Sequence, residues 1–227
     1  MEILLPLVAG LTLGCIHAFD ADHLAAVTAF ASRNAAADKH PEAKAAARFG
    51  LLWGLGHSAI LLVLGLLSIV FRFIIPPVLE SIAEIAVGAL LVAIGVWVLR
   101  DLFLKKQLHI HKHTHDGVEH IHIHSHKRGE DHRHQHSMFW VGATHGFAGT
   151  ASVMVIIPIA ITESITAAAV YLLLFGVGTV CAMSFFAFTV GKIAAHAHSR
   201  NALPWVQALS GMASIFVGLF WMSEKLF

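Results

Sequence analysis

The stretch CIHAFDADHLAAV, residues 15–27, places two aspartates and two histidines inside a segment that otherwise has the composition of a membrane-spanning helix. A charged aspartate at the centre of a bilayer costs about 2.5 to 3.5 kcal/mol on insertion scales, so these side chains must face protein, water or a bound cation. Apolar residues flank the stretch on both sides. It therefore predicts a first span with a polar site built into it.

The composition of the whole chain also indicates a bilayer location. Of the 227 residues, 57% are hydrophobic and 13% are charged, and the mean hydropathy is +0.73. Uncharged windows long enough to cross roughly 30 Å of hydrocarbon recur along the chain and predict an all-α integral membrane protein with six transmembrane helices. These spans are expected at about 3–31, 49–71, 78–99, 138–161, 165–190 and 204–223. The first is not expected to be a cleavable signal peptide, because it lacks a basic start.

The positive charges are distributed unevenly between the loops. Thirteen of the fifteen Lys and Arg residues follow predicted spans one, three and five, and only Arg72 and Lys225 lie elsewhere. The positive-inside rule then predicts that those three loops are cytoplasmic and that both termini lie outside the cell (inner) membrane. The net charge of +1 gives no indication of a nucleic-acid partner.

The chain also repeats itself. GCIHAFDA, from Gly14, aligns with GATHGFAG, from Gly142, so that His17 matches His145. Two further matches follow in the same order, LLWGLG at 51–56 with LLFGVG at 173–178, and Gly88 and Gly95 with Gly211 and Gly218. Since each half holds three predicted spans, an odd number, the second half is expected to be inverted relative to the first, with a substrate site near the midplane.

This repeat divides the chain into three predicted parts. Residues 1–108 form the first three-helix repeat, which contains the stretch quoted above. Residues 109–137 form a histidine-rich cytoplasmic loop, and residues 138–227 form the second three-helix repeat.

The polar residues of the first span are candidate metal ligands. On an ideal helix His17, Asp20 and His23 share a stripe of roughly 120°, whereas Asp22 points elsewhere. Imidazole together with carboxylate favours a divalent first-row metal such as Ni²⁺, Co²⁺ or Zn²⁺, because Ca²⁺ and Mg²⁺ prefer oxygen alone and Cu(I) prefers sulfur. The alternative is that these side chains pair with each other and only join two helices.

Two further histidines are candidates. His57 lies in the second predicted span among small residues, where helices approach closely. His145 is the repeat mate of His17, but its half has no counterpart of Asp20, Asp22 or His23. The predicted site is therefore asymmetric, with most ligands on the first span.

Two of these motifs resemble those of a known family. HAFDADH, residues 17–23, is similar to the His, four residues, Asp, His signature of the nickel/cobalt transporter family, and LGHS, residues 55–58, resembles its second motif. The chain departs from the larger members in length, with no predicted span before the signature. Its long histidine loop resembles the related metal-efflux branch, so the direction of transport stays open.

The resemblance implies a particular ligand set. It assigns the selective metal site to His17, Asp22 and His23, with help from His57. Because the ideal helix favours Asp20 instead, an unwound or wide turn between residues 18 and 22 is expected to reconcile the two.

The histidine-rich loop is a predicted metal binder. It holds eleven of the eighteen histidines, mostly at every second residue. It has too few apolar residues to bury a core, so it is expected to be disordered without metal. Its expected role is to concentrate cations at the cytoplasmic mouth, outside the selective pathway.

These features predict uptake of Ni²⁺ and/or Co²⁺, with the metal as transported substrate and no organic cofactor. The expected partners are the lipid bilayer, the divalent ion and a cytoplasmic metallochaperone. No enzyme activity is expected, since neither the inverted repeat nor the histidine-rich loop is needed for chemistry on a lipid or peptide. The sequence has no Walker phosphate loop, so no direct nucleotide drive is expected, and it has no HExxH motif. The alternatives are efflux through the same site, a membrane-embedded zinc hydrolase using Ser58, and a haem protein, against which the carboxylates argue.

Overall fold

The computed structural model describes residues 4–37, 42–71, 76–104, 110–115, 118–123, 135–147, 157 and 162–226. Within these ranges the regular structure is helical apart from one two-stranded hairpin. The elements are α1 (Leu4–His17), α2 (Ala21–Ala37), α3 (Ala43–Phe71), α4 (Pro77–Leu104), β1 (Ile110–His115), β2 (Val118–Ile123), α5 (Gln135–Phe147), α6 (Ile165–Ser199) and α7 (Leu203–Leu226).

The long helices are apolar enough to cross a bilayer, which makes this chain a multi-pass membrane protein. Among the residues that the structure describes, four helices qualify alone, and α1 with α2 forms a fifth candidate span that is bent by 53°. These five match predicted spans one, two, three, five and six. The fourth predicted span, 138–161, begins in α5, and most of its remainder lies outside the described residues.

Local sequence explains where several helices begin and end. Ser164 caps α6, because its hydroxyl accepts a hydrogen bond from the Ala167 backbone N–H. Pro77 opens α4, at a position where a missing N–H costs nothing. Between α6 and α7, Asn201 adopts a φ of 56°, a left-handed conformation that asparagine tolerates. α7 therefore starts directly after a tight reversal of the chain.

The helices pack crosswise between the two halves of the chain. α3 and α6 lie along each other at the centre, and α4 packs along α7. α1 packs on α6, whereas α5 packs on α3. The opening helix of each half therefore contacts the central helix of the other half.

Glycines bring these helices into backbone contact. A Cβ built at Gly14 of α1 would collide with the Phe175 carbonyl oxygen of α6, and one at Gly142 of α5 would collide with the Trp53 carbonyl oxygen of α3. In the sequence alignment Gly14 matches Gly142, and Trp53 matches Phe175. The second contact is therefore the first with the two halves exchanged.

The same exchange relates other close contacts. Gly56 meets the Phe139 carbonyl, and its mate Gly178 meets the Leu11 carbonyl. In the third aligned pair of helices, a Cβ at Gly88 would lie 2.8 Å from the Gly218 oxygen, and one at Gly95 would lie 2.5 Å from the Gly211 oxygen. Close approach of small residues is how helices associate in lipid. Here it follows the sequence repeat.

The histidine-rich loop contains regular structure that composition alone did not predict. β1 and β2 are antiparallel, with His111 opposite His122 and His113 opposite His120. The expectation of disorder is wrong for these two strands. The reason is local sequence: Asp-Gly, residues 116–117, separates two runs that contain β-branched residues, and this dipeptide favours a two-residue hairpin connection.

Candidate metal centre

The first span breaks at the residues that hold the candidate ligands. α1 ends at His17, α2 starts at Ala21, and the N–H groups of Phe19 and Asp20 each bond a carbonyl three residues back. The expected single helix over 3–31 is therefore wrong at residues 18–20, and the predicted turn is found there. Such broken helices expose backbone and side chains at transport sites.

Because of this break, the aspartate that faces the cluster differs from the one expected on an ideal helix. Asp22 lies in the first turn of α2 and is buried, and both of its oxygens are engaged by cluster residues. Asp20 lies in the turn with its side chain 36% exposed. The stripe placed Asp20 inward and Asp22 elsewhere because it assumed one unbroken helix.

His17 connects the turn to α3. Its Nδ1–H donates to the Asp20 carboxylate at 2.7 Å. Because a carboxylate only accepts, the neutral His17 ring then has its lone pair on Nε2. That Nε2 accepts from the Nε2–H of His57 at 3.0 Å. The remaining ring nitrogen of neutral His57, Nδ1, therefore has a free lone pair.

Asp22 joins α2 to α5. Its Oδ1 accepts the backbone N–H of His23 at 2.9 Å, and its Oδ2 accepts the Nε2–H of His145 at 2.9 Å. The lone pair of neutral His145 consequently lies on Nδ1. His23 donates its Nδ1–H to the His17 backbone carbonyl at 3.1 Å, which leaves the lone pair on Nε2.

Three ring nitrogens of the cluster have no partner among the described residues. They are His23 Nε2, His57 Nδ1 and His145 Nδ1, all buried. These are the atoms that the hydrogen bonds leave as lone-pair acceptors. A buried polar atom without a partner costs free energy, and an imidazole nitrogen with a free lone pair can ligate a divalent cation.

The four imidazole rings of the cluster lie around His23. Centroids of His23 lie 4.8 Å from those of His17, His57 and His145. Two overlapping groups have ligand atoms within 4.8 Å of one another: His17, His23 and His57, and Asp22, His23 and His145. His23 belongs to both, so it lies at the centre of the cluster.

All six candidate residues from the sequence lie in or beside this cluster. His17, Asp22, His23, His57 and His145 are buried together, and Asp20 contacts them through His17. Sequence reasoning did not single out the aromatic rings against the cluster, which are Trp53 on His145 and Phe175 on His17. The sequence repeat could have indicated these two rings, since it aligns Trp53 with Phe175.

Comparison with known proteins gives one family and one curated relative. Residues 24–220 match the family model described as "Cytochrome C biogenesis protein transmembrane region", a match that includes His57 and His145 and begins just after His23. The chain is 30% identical over 191 residues to "Urease accessory protein UreH" of Bacillus sp. (strain TB-90), covering 84% of this chain and 78% of that protein. No solved structure matches. The chain therefore belongs to the family of cytochrome c biogenesis protein transmembrane regions.

Proposed function

We propose that this protein transports divalent transition-metal cations, Ni²⁺ and/or Co²⁺, across the cell membrane through the histidine cluster. The observation that supports this most directly is the set of lone pairs on His23, His57 and His145 that have no partner in the described part of the chain. They lie within a bundle of apolar helices, where a polar group without a partner is costly. A cation that occupied them would remove that cost.

Each residue has a separate role in the proposal. His23, His57 and His145 ligate the cation through nitrogen, and Asp22 supplies the neighbouring negative charge. His17 and Asp20 hold the His57 ring through the chain of two hydrogen bonds. Carboxylates and carbonyls that bond the second nitrogen of a ligating histidine fix its orientation and tautomer.

The choice of metal follows from the donor types. Imidazole nitrogens with a carboxylate suit Ni²⁺, Co²⁺ and Zn²⁺ better than Ca²⁺ or Mg²⁺. The two sequence motifs resemble those of nickel/cobalt transporters, and the curated relative is named as a urease accessory protein. We propose Ni²⁺ as the first metal to test and uptake as the direction.

We further propose six spans arranged as two inverted three-helix repeats. The glycine contacts support this arrangement, because the contact of α1 with α6 and the contact of α5 with α3 are equivalent when the two halves of the chain are exchanged. An odd number of spans per half requires the second half to be inverted. The resulting positive-inside orientation makes the histidine-rich loop cytoplasmic, where it concentrates the ion near a metallochaperone.

The proposal is tested with purified protein in sealed vesicles and radioactive Ni²⁺. We expect saturable Ni²⁺ entry with the parent protein and none with His57→Ala, since the site loses a ligand. His196→Ala is the matched control, because His196 is exposed near the end of α6 and should transport normally. Equal transport by both variants would contradict the proposed site. In cells, accumulation indicates uptake and depletion indicates efflux.

The hydrolase alternative has weaker support. Ser58 is the nucleophile nearest to His57 in sequence, but its hydroxyl donates to the Gly176 backbone carbonyl at 3.3 Å. That bond joins α3 to α6 and directs the hydroxyl into a helix contact. Activity toward ester or amide substrates that is lost in Ser58→Ala would favour the hydrolase.

A further inference from the structure

Two ladders of aromatic rings leave the histidine cluster in opposite directions. We call the side on which α2 ends and α3 begins the loop side, and the opposite side, where α1 begins, the terminal side. One ladder lies along α3 toward the loop side, and the other lies along α6 toward the terminal side. The two rings of each ladder are four residues apart on their helix, which is about one helical turn.

The loop-side ladder consists of Trp53 and Phe49. The Trp53 ring lies 5.5 Å from His145, and Phe49 lies 5.5 Å from Trp53. Phe49 stacks on Phe30 of α2 at 4.8 Å. Trp53 is completely buried and Phe49 nearly so. These rings therefore fill the space directly above the cluster on the loop side.

The terminal-side ladder consists of Phe175 and Tyr171. Phe175 lies 5.3 Å from the ring of His17, and Tyr171 stacks on Phe175 at 6.3 Å. Tyr171 has no exposed surface, and Phe175 is 2% exposed. This pair fills the space on the other side of the cluster.

The sequence repeat exchanges the two ladders. Its alignment places Trp53 over Phe175, and the same offset places Phe49 over Tyr171. The repeat therefore places one aromatic pair on each side of the polar site at equivalent positions. Equivalent barriers on the two sides are what an alternating-access mechanism between two repeats requires.

Each ladder also contains a buried polar atom without a partner. The indole N–H of Trp53 and the hydroxyl of Tyr171 have no hydrogen-bond partner among the described residues. Such groups normally find a partner when they are buried. Movement of either ring toward a water-filled passage would hydrate that atom, which lowers the free-energy difference between the closed and open positions.

A cavity ends at the loop-side ladder. It has a volume of about 570 Å³, and its walls include Phe30, Phe49, Arg48, Trp97 and Met138. Phe49 lines this cavity, and Trp53 contacts both Phe49 and His145. The cavity is therefore the entrance that opening of this ladder would connect to the site.

We propose that Trp53 with Phe49 and Phe175 with Tyr171 are the two gates of the transport cycle. The first controls access from the loop side, and the second controls access from the terminal side. This inference rests on the proposed function, since it concerns access to the cation in the histidine cluster. The structure has both gates closed, with the loop-side gate at the floor of an open cavity.

The test measures from which side a chelator reaches the bound ion. Membrane vesicles of both orientations contain the full-length protein loaded with radioactive Ni²⁺ and receive impermeant EDTA outside. Ions on the histidine-rich loop leave in a fast phase when that side faces out, and the cluster ion leaves in a slow phase. We expect Trp53→Ala to accelerate the slow phase at least about tenfold only from the loop side. Phe175→Ala should do so only from the terminal side.

The control is Phe185→Ala, a residue on α6 whose ring is 69% exposed; it should match the parent from both sides. Should either alanine variant not fold, Trp53→Leu and Phe175→Leu replace them with the same one-sided expectation. Acceleration of the slow phase from both sides, or from neither, would overturn the proposal that these residues are gates. A parent protein that holds no slow-phase Ni²⁺ would instead overturn the proposed function, and the gates with it.

Discussion

A turn of three residues decides which aspartate reaches the cluster. Because α1 ends at His17, Asp22 enters the first turn of α2 and approaches His145 of α5. The N-terminus of a helix also favours a negative charge. Asp20 remains in the turn and holds the His17 ring. The two carboxylates are two residues apart and have different tasks.

Because Asp22 and Asp20 have different roles, we expect removal of each negative charge to affect Ni²⁺ transport differently. We expect Asp22→Asn to abolish Ni²⁺ transport, because it removes the charge beside the cation and alters the acceptor for the His145 N–H. Asp20→Asn should weaken Ni²⁺ binding about 10- to 100-fold, as for other groups that orient a ligating histidine. Equilibrium binding of Ni²⁺ and vesicle flux measure both. An inactive Asp20→Asn beside an active Asp22→Asn would reverse the assignment.

Much of the cluster could be predicted from the sequence at this scale. Imidazoles and carboxylates stand out in an apolar segment, and the repeat drew attention to His145. The orientation of Asp22 could not follow from helix geometry, because that geometry stops at the turn. The tautomers depend on contacts of α1 with α3 and of α2 with α5, which are distant in sequence.

At the scale of elements, glycines bring several helices into backbone contact. Most glycines of the predicted matches lie where one helix approaches the backbone of another, and Gly176 is an exception. Composition found the long helices, since each shows an uninterrupted apolar window. It missed the β1–β2 hairpin, because a count of histidines ignores the turn dipeptide between them.

Close approach makes Gly142 intolerant of a side chain. We expect Gly142→Ala to lower the free energy of unfolding by about 1 to 3 kcal/mol, because the new methyl group would force α5 away from the Trp53 carbonyl. Gly176→Ala is the matched control, since its nearest neighbour would be the Ser58 side chain at 3.3 Å. Thermal unfolding in detergent compares them. Equal losses of stability would argue against a tight α3–α5 contact.

At the scale of the whole molecule, the histidine-rich loop and the cluster are predicted to be separable. Deletion of residues 109–136 should sharply lower the total Ni²⁺ bound per protein yet preserve selectivity and flux at saturating metal. Transport should fall chiefly at low metal, where a local reservoir changes how often the site is filled. Flux across a concentration series checks this. Loss of transport at every concentration, with normal insertion, would place the loop in the conduction path.

The loop should also release metal on acidification. An imidazole must be neutral to ligate a cation, and its unperturbed pKa is about 6.5. The parent protein should therefore bind several more Ni²⁺ ions than the loop deletion at pH 7.5, and this excess should disappear toward pH 5.5. Metal analysis after equilibrium dialysis measures the excess. An excess independent of pH would show that the histidines do not hold the ions.

The orientation is tested by labelling. A cysteine introduced as Ser125→Cys should react with an impermeant thiol reagent only after the membrane is opened, whereas Phe227→Cys should react in intact cells. The native Cys15 and Cys181 are first replaced by alanine, and that background without an added cysteine is the control. Labelling in the reverse order would invert the predicted topology.

The crosswise packing of the halves has a consequence for synthesis of the chain. α1 emerges early, but the carbonyls of Tyr171 and Phe175 that its glycines contact belong to α6. At ribosomal rates of about 5 to 20 residues per second, α1 waits on the order of ten seconds for its partner. During that interval its glycine face meets only lipid or the insertion machinery. A nascent chain stalled before residue 165 should therefore contain an inserted but unassembled first half.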